Sequence, residues 1–366
     1  MSMRIGVAGC GNISDTYFRN LPRFEGLEVV ACADLEPARA QAKAAQYGLR
    51  ALSTDALLAD PGIDLIVNLT VPKAHSEINL RALSAGKHIY TEKPLAVTRE
   101  AGRETLALAR EKGLRVGAAP DTVLGGGLQT VRQMLDQGAI GQAVGFSGFM
   151  GSGGPEAFHP DPDFFFQPGA GPLFDMGPYY LTALIMLFGP ARRVTSIARA
   201  THPERTIGSQ PHAGEKIKVN TPTHVNCAVE FASGAAGTLV VSWDVGVHRQ
   251  PNLDVFGSEG TLALKDPNTF GGPVLLRKAG ETEWREAALT HGYNTNLRGL
   301  GVADLAAAVR EGRPHRANGE VAYHVLDLMH SLLEANREGR HVTPESTCQR
   351  PTAMEAGEIY LKLDFT

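Results

Sequence analysis

A glycine turn set between a strand and a helix, close to the start of the chain, constrains the fold more than any other feature. "RIGVAGCGNISDTYFRNL" opens with the apolar run Ile5 to Ala8, turns through glycines and continues at helical spacing. A second apolar run, "LEVVACAD", ends in Asp34, and Pro37 to Tyr47 then reads as a helix. The alternation goes on: strand 64–71, helix from about His75 to Ala85, strand 88–92, helix from about Arg99 to Lys112, strand 114–119. Such alternation builds βαβ units, so the first third is expected to be α/β, a Rossmann-type doubly wound parallel sheet covered on both faces.

Gly9-Cys10-Gly11-Asn12-Ile13-Ser14 nearly matches G-x-G-x-x-G, with serine in the third glycine place. Gly9 permits the tight turn, Gly11 lets a pyrophosphate approach the backbone, and the helix start at Asn12 and Ile13 supplies amide donors. Asp34, a little over 20 residues on, would accept bonds from an adenosine ribose and repel a 2′-phosphate, which favours NAD over NADP. A second use of Asp34 is to cap the following helix. Arg39 falls within that helix, too far along to rescue a phosphate.

"YTEKPLAV" (90–97) comes at the carboxyl end of the strand at 88–92, where open α/β sheets place ligands. Pro94 removes a donor and stops the strand, which delivers Glu92 and Lys93 to the rim of the sheet. From about Gly141 the pattern changes to repeated strand-like runs, with Gly257-Ser258-Glu259-Gly260 as a hairpin turn. These runs predict an α+β domain with a large open, mostly antiparallel sheet. Two late helices, about Leu297 to Glu311 and Val321 to Arg337, should pack on it or on the cofactor domain. The expected division is residues 1–122 for dinucleotide binding and 123–366 for substrate binding and oligomerisation.

The long Gly- and Pro-rich loop 151–171 holds His159, Asp161, Asp163 and a phenylalanine triplet. Aromatic faces beside carboxylates and a histidine suit a sugar, apolar on its ring faces and polar at its edge. Alternatively, Phe164 to Phe166 only anchor the loop. Then "GAGPLFDMGPYYL" (169–181) leads into a strongly apolar helix, with Asp175 and Tyr179 four apart and so on one helical face. Asp175 also reads as a helix cap, and Tyr180 as structural.

In these motifs the chain resembles the Gfo/Idh/MocA family of NAD(P)-dependent oxidoreductases. The resemblance is carried by "GVAGCGNIS", "NLTVPKAH" (68–75), "TEKPLA" (91–96) and the Asp175, Gly177, Tyr179 pattern, and it covers nearly the whole chain. It implies that Lys93 touches both substrate hydroxyl and nicotinamide. It further implies that Glu92 and Pro94 shape the nicotinamide pocket, and that Thr70, Pro72 and His75 border the dinucleotide. Many members carry asparagine where Lys73 stands, and many carry arginine after the sixth strand, where this chain has Asp121, a candidate substrate contact, and Gly125 to Gly127. Most carry histidine at Tyr179, although several use tyrosine. The resemblance also implies a homo-oligomer, a dimer or tetramer.

Hydride transfer from a carbinol requires that its hydroxyl proton be removed. Free tyrosine titrates near 10, so a neighbouring lysine ammonium that stabilises the phenolate is the reason to want Lys93 and Tyr179 on one substrate oxygen. Asp175 would orient the substrate by accepting a neighbouring hydroxyl. His159 and Asp163 complete the candidate substrate set.

The net charge of -4 gives no field to attract nucleic acid or an anionic membrane. No apolar stretch approaches the roughly 20 residues that span a bilayer. The N-terminus lacks a small-residue cleavage site, and the four dispersed cysteines suit a reducing compartment, so a cytoplasmic protein is expected. The histidines and cysteines show no metal-ligand spacing. The leading expectation is an NAD-dependent dehydrogenase of a neutral sugar, sugar derivative or cyclic polyol. The alternatives are a redox-neutral glycosidase or lyase working through a transient keto-sugar, and a non-enzymatic dinucleotide sensor.

Overall fold

The computed structural model describes residues 2–358 and 360–362. Met1, Ile359 and 363–366, which belong to the two expected domain ranges, lie outside the described residues. In chain order the elements begin with β1 (Met3–Ala8), α1 (Ser14–Asn20), β2 (Leu27–Ala33), α2 (Pro37–Tyr47), β3 (Arg50–Leu52) and α3 (Thr54–Ala59). There follow β4 (Leu65–Asn68), α4 (Pro72–Ser84), β5 (His88–Thr91), α5 (Arg99–Lys112), β6 (Val116–Ala118) and α6 (Gly126–Asp136). Next are β7 (Ala143–Gly151), α7 (Pro172–Asp175), α8 (Gly177–Phe188), β8 (Ala191–Arg199), β9 (Glu204–Thr206) and β10 (Lys216–Lys218). Then come β11 (His224–Phe231), β12 (Ala236–Ser242), β13 (Leu253–Gly257), β14 (Gly260–Leu264), β15 (Val274–Lys278) and β16 (Arg285–Ala287). The last two are α9 (Leu300–Glu311) and α10 (Gly319–Glu338).

The first compact unit comprises residues 1–125, 291–326 and 351–366. Its six-stranded sheet is parallel throughout, in the order β3-β2-β1-β4-β5-β6. The strand order reverses between β1 and β4, which opens a crevice at their carboxyl ends. All four residues of β4 are buried, which explains its unbroken apolar run. β3 escaped the sequence reading because it is a three-residue edge strand with exposed side chains. The late chain returns to this unit: Ala118 N donates to Ala317 O (3.0 Å), and His315 Nε2 contacts Val116 O at 2.9 Å. Thus α9, the first part of α10 and the segment from Pro351 belong with the cofactor sheet, and the expected continuous second domain is broken.

The second unit comprises residues 126–290 and 327–350. Its eight-stranded sheet runs β16-β15-β14-β13-β7-β12-β11-β8, antiparallel except for the pair β7 and β12. One face is packed, and Phe188 of α8 meets Phe146 and Phe231 at ring separations of 6.0 and 5.4 Å. Every residue of α8 is buried. Full burial of a Leu, Ile or Phe side chain contributes about 1.5–3 kcal/mol, so packing holds this helix in place.

Candidate active site

The first unit builds the dinucleotide side. Gly9 lies at φ 100°, and a Cβ there would sit 2.6 Å from Leu69 C, so only glycine fits. A Cβ on Gly11 would meet nothing within 4 Å, which leaves open backbone facing ligand space. Ser14 is fully buried and donates to Gly11 O at 2.6 Å, packing the small third position as expected. Asp34 accepts from Cys10 N (2.7 Å) through Oδ2 and from Glu36 N (2.9 Å) through Oδ1. It therefore ties the glycine turn to the loop after β2. The N-cap of α2 is Glu36, with no side-chain cap, so the capping alternative for Asp34 is not what forms.

A cavity of about 800 Å³ has Gly9, Gly11, Asp34, Leu35, Thr70 and Val71 in its wall, within the usual size range of ligand sites. Leu35 and Val71 are exposed apolar side chains (96% and 62%) in that wall, a sign of a face that a planar base can cover. Arg39 also lines it, ion-paired with Glu36 at 3.1 Å, so the expectation that it lies too far along α2 is corrected. The open backbone at Gly11, the carboxylate of Asp34 and this cavity fit a dinucleotide.

Thr70 donates through Oγ1 to Asn68 Oδ1 at 2.6 Å and lines the cavity. Pro72 takes the first position of α4. His75 differs from its expected role: it has no exposed surface, and its ring nitrogens contact Pro94 O (2.8 Å) and Thr70 O (2.9 Å). It stands behind the cofactor surface. Burial, the largest influence on its imidazole, holds the pKa below the ordinary value.

β5 ends at Thr91, and Glu92 N donates to Asn68 O at 2.9 Å. The carboxylate of Glu92 accepts from Tyr17 Oη (2.9 Å) and from Lys93 N (3.1 Å). Tyr17 was missed by sequence reading; its position one turn into the helix behind the glycines is the only signal it leaves. Asp121 was expected among the substrate contacts. It is instead buried, with Oδ2 accepting from Gly299 N (2.8 Å) and Gly301 N (3.0 Å) at the start of α9, and burial pushes its carboxyl up.

The second unit holds the remaining candidate residues. Gly171 lies at φ 86°, where a Cβ would come within 2.8 Å of Pro222 O, and Pro172 then starts α7. Asp175 closes α7, Met176 keeps right-handed helical angles, and Tyr179 N donates to Met176 O at 3.1 Å. Asp175 and Tyr179 thus lie about one turn apart. The N-cap of α8 is Met176, with no side-chain bond, so Asp175 is not its cap. Tyr179 is 8% exposed, whereas Tyr180 is fully buried against the sheet, with Oη 3.4 Å from Phe149 O.

His159 accepts from Asp161 N (3.1 Å) and meets Phe164 and Phe165 edge to face. Asp163 accepts from Gln167 Nε2 at 3.1 Å. Phe166 is fully buried and, with Phe165, meets Trp243 edge to face, which is the anchoring alternative. Phe164 keeps 39% of its surface. Sequence reading also missed the clamp beneath this loop, where Arg205 bonds Glu156 Oε1 at 2.7 Å and pairs closely with Asp244. Glu156 and Asp244 lie 49 and 39 positions from Arg205 along the chain, with no local motif.

A parallel sheet with a glycine turn, an acid after its second strand and a lysine turn at its carboxyl edge is the architecture of dinucleotide-binding proteins. Residues 3–119 match the model of the oxidoreductase family with NAD-binding Rossmann fold, and residues 128–263 match the GFO/IDH/MocA C-terminal domain. The chain belongs to the Gfo/Idh/MocA family of oxidoreductases, and its first unit is a NAD-binding domain. It is 31% identical over 355 residues to dTDP-3,4-didehydro-2,6-dideoxy-alpha-D-glucose 3-reductase of Streptomyces violaceoruber, covering 93% of this chain and 96% of that enzyme. It is 33% identical over 146 residues to inositol 2-dehydrogenase of Ralstonia nicotianae, covering 38% of this chain and less than half, 43%, of that enzyme. Among solved structures, apo levoglucosan dehydrogenase superposes with a TM-score of 0.82 at 21% identity, over 95% of this chain and 100% of that one. Among the described residues, no helix is long and apolar enough to cross a membrane.

Proposed function

We propose that this protein is an NAD-dependent dehydrogenase of a sugar, sugar derivative or cyclic polyol. The observation that carries this reading is the lysine turn. Lys93 is held at the carboxyl end of β5, in the same sheet whose neighbouring strand ends line the dinucleotide cavity. The substrate class is supported by relatives named for a dideoxy-sugar reductase and an inositol dehydrogenase.

The nicotinamide, when bound, supplies the hydride acceptor or donor. Gly9, Gly11, Asn12 and Ile13 would hold the pyrophosphate, Asp34 the ribose, and Thr70 and Pro72 the rim beyond. Tyr179 withdraws the hydroxyl proton during oxidation and returns it during reduction. The Lys93 ammonium stabilises the phenolate and the developing alkoxide. Asp175 accepts a bond from an adjacent hydroxyl, and His159 and Asp163 contact the outer edge of the ring.

Loss of the acid/base group costs about 10²- to 10⁴-fold in rate. Tyr179→Phe and Lys93→Met should each lower kcat on a sugar and polyol panel by about 10²-fold or more while NAD binding persists. Unchanged turnover in both variants overturns the mechanism. Following the absorbance of reduced nicotinamide beside product analysis decides the reaction type. Net reduced cofactor supports the dehydrogenase, and bond cleavage without it supports the redox-neutral alternative.

A further inference from the structure

Lysine carries its charge on a flexible four-carbon stem, so its placement depends on how firmly its own backbone is held. On the amino side, Lys93 N donates to Glu92 Oε2 (3.1 Å), while Glu92 Oε1 is fixed by Tyr17 Oη (2.9 Å). On the carboxyl side, the carbonyl of Pro94 lies 2.8 Å from His75 Nδ1. The other ring nitrogen, Nε2, lies 2.9 Å from the carbonyl of Thr70, a residue of the dinucleotide cavity wall. The His75 backbone is fixed as well, because Asn68 Nδ2 donates to His75 O (3.1 Å) and to Asn79 Oδ1 (2.9 Å).

Two carbonyls accept and cannot donate, and a neutral imidazole has one N–H and one lone pair. Only an imidazolium would serve both. Three influences oppose that form: the ring is fully buried, it sits in the first turn of α4 near the positive end of the helix dipole, and the positive charge of Lys93 disfavours a second cation. Glu92 is the opposing anion, and Lys73 and Glu77 are the ionisable neighbours on α4 itself. Burial, the largest of these influences, holds the imidazole pKa below its ordinary value, and in the neutral form the two carbonyls compete for a single proton.

We propose that His75 is a positioning residue for Lys93, in which one shared imidazole proton couples the Thr70 loop of the dinucleotide cavity to the Lys93–Pro94 turn. Occupation of the cavity shifts the Thr70 carbonyl and redistributes that proton, which tightens or slackens the turn that carries the lysine. The proposal rests on the reading of Lys93 given above.

The test uses the full-length protein. His75→Phe keeps the ring and deletes both bonds. It should lower kcat about 10- to 100-fold, as a misplacement of about 1 Å does, and shift the pH profile of kcat, with the Kd for NAD changed less than about threefold. His75→Gln, which retains one donor, should recover part of kcat, and Tyr17→Phe should give a smaller loss with the same kcat signature. In wild-type protein labelled with ring ¹⁵N, the His75 signals, assigned by their loss in His75→Gln, should show one protonated and one bare nitrogen near neutral pH and should move on addition of NAD.

Wild-type kcat and pH profile in His75→Gln and His75→Phe overturn the proposal, as do ring signals unmoved by NAD. Should His75→Phe fail to fold, His75→Gln and the ring signals decide. Lys93→Met with unchanged turnover rejects the parent reading. An inactive Lys93→Met beside fully active His75 variants rejects this inference alone.

Discussion

Asp34 concentrates at one residue what the glycine turn needs and what the cofactor needs. Its two carboxylate oxygens take Cys10 N and Glu36 N, and the same group faces the cavity. Hydrogen bonds to a charged group contribute about 1.5–3 kcal/mol, so Asp34→Ala should weaken NAD at least about tenfold in a titration. Asp34→Asn keeps an acceptor but removes the charge that repels a 2′-phosphate, and with Arg39 in the same wall it should raise the ratio of NADP to NAD activity. The opening residues were legible because a positive φ and a tight turn demand glycine locally. The role of His75 was not, because nothing local distinguishes a histidine that borders a ligand from one buried behind it.

At the scale of elements, α9 is fixed to the first unit by a buried ionic cluster. Asp304 has no exposed side-chain surface and pairs with Arg316 (2.6 Å) and Arg313 (2.9 Å), while Arg316 also reaches Glu358 at 2.8 Å. Removing one partner of such a cluster strands the others and costs about 3–5 kcal/mol. Asp304→Ala should lower unfolding stability by that amount in urea titrations. Three histidines of this unit, His75, His88 and His315, have imidazoles held below the ordinary value of 6.5, with burial the largest cause in each. A depressed folded pKa stabilises the native state above the unfolded value, and that contribution is lost as pH falls through the folded one. Chemical denaturation without cofactor should accordingly show lower stability near about pH 5 than near about pH 7. The sequence periodicity marked most of these helices, but it left open which sheet the late ones join.

For the molecule as a whole, the eight-stranded sheet of the second unit presents an outer face with Ile197 72% exposed and Phe149, Val240 and Phe256 half-buried. An open sheet face of this kind suits a homo-oligomer, a dimer or tetramer, as the family resemblance implies. Light scattering after gel filtration should return a multiple of the chain mass, and Ile197→Asp should shift it toward the monomer. A monomer at micromolar concentration for the unmodified protein would set this expectation aside.

Strand and helix alternation, the glycine turn, the acid after β2 and the lysine-proline turn are encoded within short windows, so the sequence by itself determined the α/β class, the antiparallel second sheet and the cofactor. Partners separated by many residues were decided only in three dimensions. Tyr17 meets Glu92 across 75 positions, and Asp121 leaves the candidate substrate set because Gly299, 178 positions on, folds back onto its carboxylate. Local backbone geometry and periodicity depend on neighbours in the chain. The bond partner of a buried polar group depends on which distant donor the packed fold brings within about 3 Å, and no short window holds that information.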